Sequence, residues 1–340
     1  FVAGVNAGNS IESGGNYNTA VGDEAGPALT VGGSNTAVGF DSLKVDTKGS
    51  HSVAVGVGAL YSQNFTSATN AYNTAVGRSA GVAVTTGVNN TLIGGLAGDA
   101  ITTGGSNVAL GTSALTANTT ASDNTAIGYQ AGYANTTGTP NVWVGYLAGN
   151  DATTASENTF IGQRAGENYT TGGINTAVGS YSLNAIGGTG TGTLNAAFGK
   201  NALLTNTSGS QNTAIGTYAL AANTTASSNT AVGFRAGTSN TTGTYNTAIG
   251  EDSSYHNTTG SNNSALGYQA LQYNTASDNT AVGYQAMLDN TSGNSNVAVG
   301  FSALANNTSA HNNVAVGRDT LFANTTGTNC TAVGYSANAA

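Results

Sequence analysis

The sequence predicts an all-β fold, a parallel β-solenoid (a β-roll). Three observations carry this: a glycine recurs at near-constant spacing, a short β-branched segment precedes it each time, and turns of Asn, Thr and Gly separate the copies. The unit reads N-T-A-V-G-Y-Q-A-L-x-x-N-T-T-G-S-x. Anchored on its glycine, it occurs 19 times from Gly22 to Gly334; 15 of the 18 intervals are 17 residues, and the others are 21, 20 and 16. Seventeen residues are too few for a helix pair but fit one coil of stacked strands at a rise of ~4.8 Å. Residues 1–4 read as the tail of a further unit, giving about 19 to 20 coils in one repetitive domain over residues 1–340, with longer loops near 61–72 and 184–194.

Each coil is expected to contain, in order, a short strand at N-T-A-V, a corner at the glycine and the polar pair after it, a second short strand around A-L, and an Asn/Gly turn. Positions are counted here from the anchor glycine. Position −4 is Asn in 17 of 19 coils, with Ser52 and Cys330 the exceptions. Such a column predicts a ladder of side-chain amides, represented by Asn18, Asn124, Asn229 and Asn296. Position −1 is apolar in every coil, and position −2 is Ala in 16, broken by Leu92, Trp143 and Phe160.

Neighbouring strand residues point to opposite faces, so two apolar columns imply a strand covered on both sides. The −1 column, with Val76, Ile127, Val232 and Val299, is assigned to the core, and the other face to a contact with a second copy, which makes the protein a homo-oligomer. Position +4 alternates between Leu, as in Leu115 and Leu203, and Gly, as in Gly81 and Gly237. An uncompensated Leu-to-Gly exchange in a core costs several kcal/mol, so a neighbouring position or chain must compensate.

Composition narrows the function classes. Charged residues are 6%, net charge is −8, and only seven Lys and Arg are present, so no nucleic-acid footprint exists. No apolar run is long enough to span a membrane as a helix, and no signal peptide is visible. Few charges with abundant Asn, Thr and Gly suit an extracellular setting.

The stretches Asn73-Thr74-Ala75-Val76-Gly77, His51-Ser52-Val53-Ala54-Val55-Gly56 and Asn296-Val297-Ala298-Val299-Gly300 resemble the once-per-coil motif of YadA-like trimeric autotransporter adhesin heads. The N-T-A-V-G-Y-Q-A-L form, carried closely by residues 263–271 and 279–286, is similar to repeat arrays of bacteriophage tail fibres and large bacterial surface proteins. The resemblance covers essentially the whole chain, although a period of 17 residues exceeds the autotransporter coil. It implies a left-handed coil, a side-by-side homotrimer, and a place on a virion tail fibre, a cell surface or an extracellular filament.

No catalytic constellation, metal site or cofactor motif is found. His51, His256 and His311 occupy different positions without carboxylate partners, and Cys330 has no companion His. The expected role is therefore a structural and adhesive extracellular fibre segment, without enzyme activity, cofactor, nucleic-acid partner or membrane insertion. Candidate contacts to a cell-surface glycan or receptor are Trp143 and Phe160, which could stack as an exposed aromatic pair, and Tyr61, Phe65 and Tyr72 in the longest interval. Two alternatives remain. One is a self-polymerising extracellular filament, with N-x-S/T tripeptides that recur seven residues after the anchor, such as Asn118, Asn223 and Asn307, as glycan acceptors. The other is an ice-binding solenoid using Thr rows such as Thr119-Thr120, Thr136-Thr137 and Thr241-Thr242.

Overall fold

The computed structural model describes residues 2–338; Phe1, part of the expected leading tail, lies outside them. The chain forms an all-β parallel solenoid of about 20 coils, without helices among the described residues. It divides into two compact units, residues 1–171 and 172–340. In the first, the principal strands run from Val2–Ala3 and Thr19–Val21 to Val142–Val144 and Thr159–Ile161. In the second, they run from Thr176–Val178 and Ala196–Phe198 to Val314–Val316 and Thr331–Val333.

Within each unit every strand pairs in parallel with the next coil at fixed register, so each position sits on the same position of its neighbour. Ala126 opposes Trp143 and Ile127 opposes Val144 in the first unit, and Ala231 opposes Ala248 in the second. The longest interval adds a clip, a two-stranded pairing of Gly49–Ser50 with Thr69–Asn70.

The anchor glycine has a steric cause. Gly128 has φ +136°, and a Cβ there would sit 2.7 Å from the Gly145 carbonyl carbon of the next coil. Backbone packs directly on backbone at this corner, which only glycine permits.

The expected second strand is a turn. Ala131 N–H donates to Gly128 O (3.3 Å), while Leu115 N–H donates across to Ala131 O of the next coil (3.1 Å). Leu115 is left-handed at φ +54°, as is Gln130 at +52°. Ala114 and Leu115 are adjacent, yet both are buried. A strand would send one of them outward, and the left-handed step brings both into the interior.

The core assignment also changes. The inward residue of each strand is the −2 alanine: Ala75, Ala126, Ala231 and Ala298 are fully buried. Val76, Ile127, Val232 and Val299, assigned to the core from sequence, are only half-buried and face outward. With alternation fixed by the pleat, the inward Asn at −4 forces −2 inward and −3 and −1 outward. The narrow interior, already holding leucines such as Leu115, Leu203 and Leu271, leaves room for a methyl at −2.

This geometry explains the Leu/Gly alternation at +4. Where Gly stands there, a neighbouring side chain of the same chain takes the space. Leu29 Cδ1 fills toward Gly26 (2.8 Å from its Cβ position), Leu92 toward Gly81 (2.6 Å) and Ile101 toward Gly98 (2.8 Å). Trp143 lies against Gly132 and Gly149, and Phe160 against Gly166. The three residues that break the alanine column thus each fill glycine vacancies, and Leu29 and Ile101 at +7 do the same.

Candidate functional site

A polar column at −4, present in nearly every coil, and a second at +7, Asn in ten coils, tie the coils together and so position their outer face. At −4 the Asn side chain bonds the next coil's backbone. Asn18 Oδ1 accepts from Asn35 N–H (2.8 Å) and Asn18 Nδ2 donates to Gly32 O (2.8 Å). Asn124 Nδ2 donates to Gly138 O (3.0 Å), Asn229 Oδ1 accepts from Asn246 N–H (2.9 Å), and Asn296 Oδ1 accepts from Asn313 N–H (2.9 Å). The column is therefore mainly amide to backbone, with only some direct amide–amide rungs, such as Asn141 Nδ2 to Asn124 Oδ1 (3.2 Å). Cys330 keeps the backbone half of the pattern, its N–H donating to Asn313 Oδ1 (2.8 Å).

The second column, at +7, is an amide–amide ladder. Asn223 Nδ2 donates to Asn206 Oδ1 (2.8 Å), Asn290 Nδ2 to Asn274 Oδ1 (2.7 Å) and Asn307 Nδ2 to Asn290 Oδ1 (2.7 Å). These residues, with Asn118, are buried. Their nitrogens are spent inside the fold, so the folded coil offers no glycan acceptor at them. From sequence they read as turn residues or acceptors; their regular 17-residue phase was the available sign of a ladder.

Ser52 breaks the first column, and the longest interval repairs it. Gln63 Nε2 donates to Ser52 Oγ (3.0 Å) and to Asp46 Oδ2 (2.7 Å), while Gln63 Oε1 accepts from Asn73 Nδ2 (2.8 Å). Asp46 Oδ1 accepts from Gly49 N–H (2.9 Å). Burial pushes the Asp46 carboxyl above the usual carboxylate range, against the opposing pull of these hydrogen bonds.

The outer strand face is made of positions −3 and −1. In all 19 coils these are Thr, Val, Ala or Ser, and Val, Ile, Leu or Phe respectively, with no charge anywhere. Leu110 is 42% exposed and Leu266 is 47% exposed. Beside this face runs the +1 column, where Tyr129 stacks on Tyr146 (5.6 Å), Tyr268 on Tyr284 (5.3 Å) and Tyr284 on Phe301 (4.9 Å). Arg318 covers the open side of the Phe301 ring at 5.0 Å. The same column carries charges at Arg78, Lys200 and Glu251.

The aromatic candidates separate. Trp143 and Phe160 are 0% exposed and form no surface platform: they occupy the inward −2 column against glycines, and the Phe160 ring meets Tyr169 edge-on at 6.1 Å. Phe65 is buried as well, packed beside Gly49. Tyr61 is half-buried with Lys44 Nζ 5.6 Å from its ring centroid. Tyr72 alone is open, 54% exposed and stacked on His51 at 5.1 Å. Of the Thr rows, Thr119, Thr120, Thr136 and Thr137 are exposed, and Thr136 Oγ1 donates to Thr153 O (3.0 Å) while Thr241 Oγ1 donates to Thr258 O (2.9 Å). No group of three or more His, Cys, Asp and Glu able to hold a metal ion occurs among the described residues. No family model, no curated protein and no solved structure matches the chain.

Proposed function

We propose that the chain is a structural and adhesive segment of an extracellular fibre, built as a side-by-side homotrimer in which the outer strand faces pack on one another. One observation carries this reading. The −1 column stays apolar and uncharged through every coil, although it points out of its own chain. Large apolar patches on an isolated soluble chain are unusual and mark contact surfaces. The +1 column is a poorer candidate for a symmetry axis, because Arg78, Lys200 or Glu251 would meet its own copies there at a cost in like-charge repulsion. Stacked coils give stiffness and reach, and the exposed corners, including Tyr72, are left for a surface glycan or receptor. Native mass by light scattering, with and without mild denaturant, tests the proposal: three chains support it and a stable single chain refutes it.

A second reading is ice binding by the Thr rows, favoured by hydroxyls such as Thr136 Oγ1 being fixed along the coil axis by donation to the next coil. Thermal hysteresis in solution supports it; none at millimolar protein removes it.

A further inference from the structure

We infer that the interior of the second unit contains a built hydration site, a buried water-binding pocket between Leu220 and Leu271. Position +4 along these coils reads Leu220, Gly237, Ser254, Leu271, so two consecutive leucine positions are vacated. Elsewhere a vacated position is filled by a bulky residue at −2 or +7. Here the −2 residues are Ala231, Ala248 and Ala265, and the +7 residues are Asn240 and Asn257. Gly237 is the +4 glycine with no such filler. The atoms nearest its Cβ position are Leu220 Cδ2 at 3.1 Å and the methyls of Ala231 and Ala248 at 3.8 and 3.9 Å.

The residue at +4 of the next coil is polar. Ser254 is buried, and its Oγ has no hydrogen-bond partner among the described residues. Its neighbour Ser253, by contrast, donates to Gly250 O at 2.9 Å. In the same pair of coils the +7 amide ladder is interrupted: Asn240 Nδ2 reaches both Gly243 O (2.9 Å) and Asn223 Oδ1 (3.1 Å), whereas Asn257 Nδ2 keeps the bond within its own turn, to Gly260 O (2.9 Å), without a rung to Asn240. Asn240 Oδ1 is thereby left buried and without a partner among the described residues. A buried hydroxyl and a buried amide oxygen left unpaired each forfeit the hydrogen bonds they make to water in the unfolded chain. A buried water typically bonds two to four such groups, and its ~30 Å³ share of liquid volume is less than a leucine side chain displaces. Water bonded to Ser254 Oγ and Asn240 Oδ1 meets both demands, and it accounts for serine in a position that leucine usually holds.

Crystal structures of the wild type and of Ser254→Ala, each with and without xenon pressurisation, test the site. The wild type is expected to show ordered water about 2.7–2.8 Å from Ser254 Oγ and to take up no xenon. Ser254→Ala is expected to lose that water and admit xenon, as dry apolar cavities do. Xenon in the wild type, or Ser254 Oγ bonded to a protein carbonyl with no water beside it, overturns the inference. Ser254→Leu restores the usual residue in a backbone conformation that Leu220 and Leu271 already adopt. It should raise the thermal midpoint, and a lowered midpoint means the space is absent.

Discussion

Trp143 and Gly132 form a complementary pair, and the pair can be exchanged for the usual one. Nine of the 19 coils combine Ala at −2 with Leu at +4; here Gly132 stands at +4 of one coil and Trp143, at −2 of the next, supplies the bulk. Trp143→Ala alone removes a fully buried ring and should cost about 3–5 kcal/mol. Gly132→Leu alone places a side chain into the Trp143 ring, since its Cβ would lie 2.7 Å from Cζ3, and overpacking of this kind costs about 1–3 kcal/mol or more. The backbone is not the obstacle, because Gly132 at φ +58° already has the geometry that Leu115 holds at +54°. The double variant gives the Gly128 coil the common Ala/Leu pair, with leucine occupying part of the space the indole gave up while the space beside Gly149 stays open, so its loss should fall short of the sum by about 1–2 kcal/mol. Chemical denaturation of all four proteins measures this, with midpoints compared directly because repeat arrays need not unfold in two states. Additive losses, within about 0.5 kcal/mol, would refute the volume-exchange reasoning.

Gly128→Ala should destabilise by about 2–4 kcal/mol through a strained φ and backbone collision, whereas Gly334→Ala, whose Cβ meets nothing within 4 Å, should cost less; thermal midpoints compare them. Because burial raises the Asp46 pKa above its unfolded value of about 3.9, its protonated form is favoured by folding. That stabilisation is complete below the unfolded pKa and is lost as pH rises through the folded one. The wild type should therefore gain stability relative to Asp46→Asn on acidification from pH 7 to 4, and a constant or opposite difference in unfolding midpoint contradicts the burial argument. Expression in a glycosylating host should leave Asn223 unmodified in folded protein, with glycan at that residue confined to misfolded material, as glycopeptide mass spectrometry of the two fractions would show.

The period, the coil architecture and the −4 column were legible because each depends on spacing or on one residue type repeated in phase. The facing of the strand was not. Valine outranks alanine in hydrophobicity, so Val232 looked like core and Ala231 like surface, but the interior cross-section selects for smallness at −2 and the Asn beside it sets the alternation. The A-L segment was misread for a related reason: Ala114 and Leu115 both point inward only through a left-handed residue, which leucine rarely adopts and composition does not announce. Trp143 and Phe160 looked like an exposed pair when viewed along their own column. The informative comparison was across columns, where each coincides with a glycine at +4 in its own or a neighbouring coil. The +7 ladder was hidden by the resemblance of its N-x-S/T tripeptides to glycan acceptors.

Cysteine placed at the two neighbouring strand positions, in a Cys330→Ser background, tests the central claim most directly. Ala231→Cys should remain unreactive toward a maleimide until the protein is denatured. Val232→Cys should form covalent links between copies with a short bis-maleimide. Rapid native labelling at 231, with a thiol at 232 that is shielded within a single unlinked chain, would contradict both the inward alanine column and the outer face it leaves for a second copy.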